Sequence, residues 1–218
     1  MLLYSCSQSL QDFFVWKILK QKTNGYFLDI GAGTGGIPFD PLNPGFYSNT
    51  YLLEKQGWNG VCVDFDEPWC SQVSQYRENA NVQCVDLMKT SINKVLENQQ
   101  VPSYVDYLSF DVDDAQATVM KELDFSKYKF GIITYEHNLF QSLDDSPQNH
   151  PEEWRARIRK QYEQDREKFL TLGYKLLWGN VILDGYGPVE DWWVSEKIYN
   201  ENKHLVRHDV NCEEVLAI

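Results

Sequence analysis

Carboxylates and glycines gather where short apolar runs end. The run Tyr26 to Ile30 leads into Asp29-Ile30-Gly31-Ala32-Gly33-Thr34-Gly35-Gly36. Glycine lets a backbone turn tightly and approach a ligand without a Cβ clash. Gly31, Gly33 and Gly36 fit the spacing G-x-G-x-x-G, so a nicotinamide-dependent dehydrogenase is one reading. Two features oppose it. The dinucleotide turn opens a helix directly on its glycines, whereas Pro38, Pro41 and Pro44 interrupt the chain here. Asp29 also stands two residues before the first glycine, where it would repel a pyrophosphate. An acid there suits a cationic ligand with an amino group, such as S-adenosylmethionine. A plain tight turn is the alternative for the glycines.

Further acids follow the next apolar runs. Val61-Cys62-Val63 ends at Asp64, where a carboxylate can accept both hydroxyls of a ribose, while Asp66 reads as a solvated loop acid. Asp86 follows the run Val82 to Val85 and could accept from an adenine amino group or cap a helix. Val105 to Phe110 ends in Asp111, and Phe130 to Tyr135 ends in Glu136-His137-Asn138. Asp111, Glu136 and His137 are therefore expected at one crevice. Like charges buried together need a compensating cation or protons. A sulfonium and an ammonium would supply that compensation. Imidazole suits proton transfer near neutral pH, so His137 is the first candidate for a general base and Asp111 the second. The same three residues could hold a divalent metal, but no i, i+4 histidine pair or similar spacing supports one, and a metal-free site is expected.

The elements that must position these residues alternate. A helix is expected over 10–20, and another from the caps Ser48-Asn49-Thr50 to about Gln56, stopped by Gly57. Helical patterns also cover 93–100, 119–123 and the long stretch from Pro151 to Leu172, which Gly173 ends. Tyr174 to Trp178 and Val181 to Leu183 flank Gly179-Asn180, a pair of hairpin-turn type. Strands alternating with helices predict a Rossmann-like α/β fold: a mostly parallel sheet, helices on both faces, and a late antiparallel hairpin strand. Ligands in such sheets bind at the carboxyl ends of the strands. Arg155, Arg157, Arg159 and Lys160 are interspersed with acids and read as a solvated face. Trp192 and Trp193 could stack on a sugar, with a core role expected for at least one.

The 218 residues fit one domain, with an N-terminal helical segment over 1–24 and a candidate lid over 35–47. With 20 basic and 32 acidic residues the formal charge is −12, a body that repels a phosphate backbone and argues against nucleic acid as a partner. No apolar run approaches the roughly 20 residues of a membrane span. The five cysteines are odd in number and form no C-x-x-C pair, as expected for reduced thiols in the cytoplasm and not for a zinc site.

Several blocks occur in one order along the chain. They are Ser7-Gln8 with Gln11-Asp12; Phe27 to Ala32; Ser48 to Lys55 with Gly57-Trp58-Asn59-Gly60; Val105 to Asp111; Glu136-His137-Asn138; Gly173-Tyr174; and Glu190-Asp191-Trp192-Trp193. In these the chain resembles the FkbM-type S-adenosylmethionine-dependent methyltransferases. The resemblance implies a class I methyltransferase fold, S-adenosylmethionine as cofactor, and O-methylation of a small-molecule acceptor, a sugar or another hydroxylated metabolite. Asp29, Gly31, Gly33, Asn49, Thr50, Asp64, Asp86 and Asp111 are expected to bind the cofactor, and His137, Asp111 and Glu136 to serve catalysis. Two features depart from the family. Asp113-Asp114 stands where an acid-glycine pair is usual, and the loop 35–47 is longer. The first keeps open a non-catalytic module that binds S-adenosylmethionine or a glycan.

Overall fold

The computed structural model describes residues 5–33, 47–143 and 150–218. Gly36 and the candidate lid, except Tyr47, lie outside them. The chain forms two compact units, 1–131 and 132–218. No helix among the described residues is long and apolar enough to cross a membrane.

The first unit contains α1 (Gln11–Ile18), β1 (Tyr26–Ile30), α2 (Tyr51–Lys55), β2 (Asn59–Asp64), α3 (Glu67–Val73), β3 (Ala80–Cys84), α4 (Ile92–Asn98), β4 (Tyr104–Phe110) and α5 (Gln116–Glu122). Its strands run parallel in the order β3-β2-β1-β4. Phe27, Leu28, Val61, Val63, Tyr107 and Leu108 are fully buried, which explains why β1, β2 and β4 read as continuous apolar runs. Helix α2 ends as its sequence predicts. Gly57 takes φ 86, its N–H bonds to Glu54 O, and the Trp58 N–H reaches back to Leu53 O. Helix α3 was not expected. Asp66 starts it, accepting the Trp69 N–H at 2.9 Å, so this exposed acid is a helix cap and not a plain loop residue.

The second unit takes β5 (Lys129–Glu136) from Ile132 onward, with α6 (Glu152–Thr171), β6 (Lys175–Leu183), β7 (Gly187–Val194), α7 (Glu196–Asn202) and β8 (Arg207–His208). The order is β5-β7-β6-β8, antiparallel except for β6 with β8. The antiparallel hairpin is present, but its turn is not Gly179-Asn180. That pair lies inside β6 where the register shifts against β7, and the turn falls between Leu183 and Gly187. Asn180 has φ 52, the conformation that a hairpin turn and a β-bulge both favour in this residue type. Its side chain accepts from Tyr162 Oη at 2.7 Å and Arg166 Nη2 at 2.9 Å, which holds the bulge. Helix α6 stops at Gly173, φ 90, with the Tyr174 N–H returning to Phe169 O. Trp178 and Trp192 are fully buried and stacked, centroids 5.2 Å apart, and Trp193 is buried against Phe169.

Asp191 anchors this unit. Arg166 donates to both its oxygens at 2.6 Å, and the Asn180 N–H adds a third bond at 2.9 Å. Burial alone would raise the carboxyl's pKa, but Arg166 and His137 bring it down to about 2. A depressed acid contributes stability above its unfolded value, and that contribution is lost as pH falls through the folded value. From the ordinary 3.8 to about 2 this amounts to roughly 2 kcal/mol. Stability followed by urea unfolding is expected to drop between about pH 4 and pH 2, and Asp191→Asn should remove that part of the dependence. An unchanged pH profile in the variant would refute the assignment.

Candidate active site

The first unit has a cavity of about 1020 Å³ at the carboxyl ends of β1, β2, β3 and β4. Asp29, Gly31, Ala32 and Gly33 line it from β1, and Asp64, Phe65 and Asp66 from β2. Residues 85–88 and 111–115 complete the strand-end walls, while Gln8, Gln11 and Asn49 contribute from outside the sheet.

The glycine turn is set by a backbone contact. Gly31 has φ +82, and a Cβ there would lie 1.3 Å from the Asp111 carbonyl oxygen. The Gly31 N–H donates to Val63 O and the Asp111 N–H to Ile30 O, both at 2.9 Å. Three strand ends are thus tied at one point, and no side chain fits between them. Gly33 faces Asp64, whose Oδ2 would sit 3.0 Å from a Cβ.

The acids differ in their surroundings. Asp29 is 1 % exposed. Burial raises its pKa, while Thr50, Arg77 and Ser109 act against the rise and Asp111 adds to it. Its Oδ2 accepts from Thr50 Oγ1 at 2.7 Å, and its buried Oδ1 has no hydrogen-bond partner among the described residues. Asp64 is half-buried. Burial again raises its pKa against backbone hydrogen bonds from Asp66, Phe65 and Gly33. Asp86 accepts the Met88 N–H at 2.9 Å and pairs with Lys89 at 2.7 Å, and these bonds lower its pKa. It shapes a turn before α4 and does not cap that helix, whose N-cap is Ser91. Asp113 adopts φ 43, so an aspartate supplies left-handed backbone beside the departure from the family's acid-glycine pair.

Of the expected cofactor residues, the cavity wall brings together Asp29, Gly31, Gly33, Asn49, Asp64, Asp86 and Asp111. Thr50 is fully buried and acts on Asp29. Asn49 Nδ2 donates to Ser109 Oγ at 2.9 Å. Sequence reasoning missed Arg77, whose guanidinium donates to Glu54, Ser48 and Thr50. Glu54 and Ser48 carried a signal, since both lie in the block from Ser48 to Lys55. Arg77 lies in a polar stretch with no periodicity and carried none. In the opening block, Asp12 is buried and accepts from Ser7 Oγ at 2.7 Å and the Cys6 N–H at 2.8 Å. The pairing fixes the segment from which Gln8 and Gln11 reach the cavity.

Glu136 and His137 belong to the second unit. Glu136 is half-buried and pairs across the ladder with Glu190. The His137 side chain is 1 % exposed. Its Nδ1 accepts the Leu139 N–H at 3.1 Å, its Nε2 lies 3.6 Å from Asp191 Oδ1, and its ring meets the Tyr162 ring edge-on at 4.9 Å.

A strand-end cavity with an acid before a glycine turn lies where a Rossmann-like α/β sheet binds its ligands. Solved structures share this fold. A protein from Staphylococcus aureus, proposed to be a caffeoyl-CoA O-methyltransferase, superposes with TM-score 0.57 at 12% identity, covering 88% of this chain and 86% of its own. An S-adenosylmethionine-dependent methyltransferase from Mesorhizobium loti gives 0.50 at 11% identity, covering 83% and 95%. No match was found among curated proteins. The methyltransferase FkbM domain model matches residues 29–174, and the chain belongs to that family. This sets aside the dehydrogenase reading of the glycines.

Proposed function

We propose that the chain binds S-adenosylmethionine in the first unit's cavity and methylates a hydroxyl of a sugar or another small metabolite. The observation that carries this reading is the pairing of a buried, half-satisfied Asp29 at the Gly31 turn with Asp64 at the next strand end. Bound there, S-adenosylmethionine supplies an electrophilic methyl group carried on a sulfonium. Asp29 offers a free carboxylate oxygen to an ammonium, and Asp64 offers oxygens to ribose hydroxyls. Ala32, Val63, Leu87 and Trp69 give the cavity apolar wall for a nucleobase. Asp111 is the carboxylate proposed to orient the acceptor and take its proton. That role passes from His137 because the imidazole is buried with its Nδ1 engaged. The charge of −12 favours a small acceptor over a nucleic acid.

Titration calorimetry with S-adenosylhomocysteine and with NAD tests the cofactor. Binding of the first and not the second is expected. Asp64→Ala should weaken S-adenosylhomocysteine by about 1–3 kcal/mol, the cost of losing hydrogen bonds to a buried ligand. Unchanged affinity would reject the ribose assignment. Turnover of labelled S-adenosylmethionine across a panel of hydroxylated sugars tests the acceptor class.

A further inference from the structure

Two cysteines meet beside the cavity without lining it. Cys70 is buried on α3, and Cys84 is exposed at the end of β3. The Cys70 thiol donates to Asp64 O at 3.7 Å, and the Cys84 thiol to Phe65 O at 3.8 Å. The acceptors are consecutive carbonyls on the segment that presents Asp64. Cys84 is also the ladder partner of Asp64 across β2 and β3. Helix α3 packs on β3, so the two side chains stand as neighbours on the same segment and Cys84 influences the ionisation of Cys70. Burial raises the Cys70 pKa, and Cys84, Asp64 and Asp66 raise it further. Cys70 therefore stays a thiol, and the exposed Cys84 is the group a solute oxidant meets first.

We propose that Cys70 and Cys84 form a reversible disulfide, made by a peroxide, that weakens ligand binding in the cavity. The Cys84 thiolate attacks one peroxide oxygen, the O–O bond breaks, and water leaves with a sulfenic acid on Cys84. The Cys70 sulfur then attacks the Cys84 sulfur, its thiol proton passes to the departing hydroxyl, and that oxygen leaves as a second water. The thiols lose two electrons and two protons together, and the peroxide is reduced to two waters. A dithiol reverses the change by exchange.

The effect on binding follows from what each cysteine is attached to. Helix α3 carries Pro68, Trp69 and Gln72 to the cavity, and the chain after β3 carries Val85 to Met88. A bond of about 2.05 Å between the sulfurs draws these two walls together. It also takes both thiols from the carbonyls that steady the Asp64 segment. The binding part of the proposal rests on the cofactor reading above.

The test uses the full chain treated with hydrogen peroxide. Peptide mapping should find Cys70 joined to Cys84, with the loss of two hydrogen atoms. S-adenosylhomocysteine affinity should fall about 5- to 150-fold, the usual range for coupling between neighbouring sites, and return with dithiothreitol. Cys84→Ser should bind as the reduced chain does and ignore peroxide. Cys70→Ala should oxidise only at Cys84. Peroxide treatment without the mapped bridge overturns the proposal, as does a bridge with unchanged affinity. If the reduced chain binds no S-adenosylhomocysteine, the cofactor reading fails, and the mapped bridge alone then decides the thiol pair.

Discussion

Gly31→Ala is expected to cost the chain its folded first unit. The residue sits at φ +82, where a Cβ carries a penalty of about 1–2 kcal/mol. The steric cost is greater. The added carbon would lie 1.3 Å from the Asp111 carbonyl oxygen, which is backbone and cannot swing away. Asp111 is held by its N–H bond to Ile30 O, and Gly31 by its bond to Val63 O. Relief therefore requires β1 to part from β2 or β4, in the middle of the parallel strands. The loss should exceed about 4 kcal/mol, a large share of the stability of an ordinary domain. Gly173→Ala is the control. Gly173 has φ +90, but a Cβ there meets nothing within 4 Å, so only the conformational penalty applies. Thermal melts of the two variants should differ widely. Similar melting temperatures would mean that the close approach at Gly31 is absent.

What was legible in the sequence is what backbone chemistry writes locally. The strand ends could be read because β1, β2 and β4 are buried on both faces and stop at glycine or aspartate. The helix ends at Gly57 and Gly173 could be read because a left-handed residue after a helix is nearly always glycine. The errors have the same origin. Asn180 needs left-handed backbone, and the residue type does not tell a bulge from a turn; the side chains of Tyr162 and Arg166, far off in sequence, decide. Helix α3 was missed because its seven residues include Pro68 and lack a periodic stripe. His137 could be placed after a strand, but the direction of its ring depends on Asp191 and Tyr162, which only the fold brings near.

Arg77→Met is expected to show how the cavity wall is held from behind. The Arg77 and Glu54 side chains are 1 % and 0 % exposed, with Nη1 2.8 Å from Oε2. Nη2 donates to Ser48 Oγ at 2.8 Å and to Thr50 Oγ1 at 3.1 Å, and Thr50 in turn donates to Asp29. The guanidinium is thus the buried cation facing two buried acids. Removing one partner of such a pair costs about 3–5 kcal/mol, because the other charge stays behind in a poorly polarisable interior. Adding Glu54→Gln should recover part of that loss. The amide oxygen can still accept the Glu78 and Asn79 N–H groups that Oε1 now binds at 2.6 and 2.9 Å, and the stranded charge is gone. The pH dependence has a definite sign. Burial already raises the Asp29 pKa above 3.8, and Arg77 is one of the groups opposing that rise. Without it the folded state holds the Asp29 proton more tightly. A carboxyl with a raised folded value gains stability as pH falls toward its unfolded value, so the gap between wild type and Arg77→Met should narrow from pH 7 to about pH 4. Urea unfolding at several pH values measures both quantities. A loss below about 1 kcal/mol that stays constant with pH would show that the buried cation does not act on Asp29 behind the glycine turn.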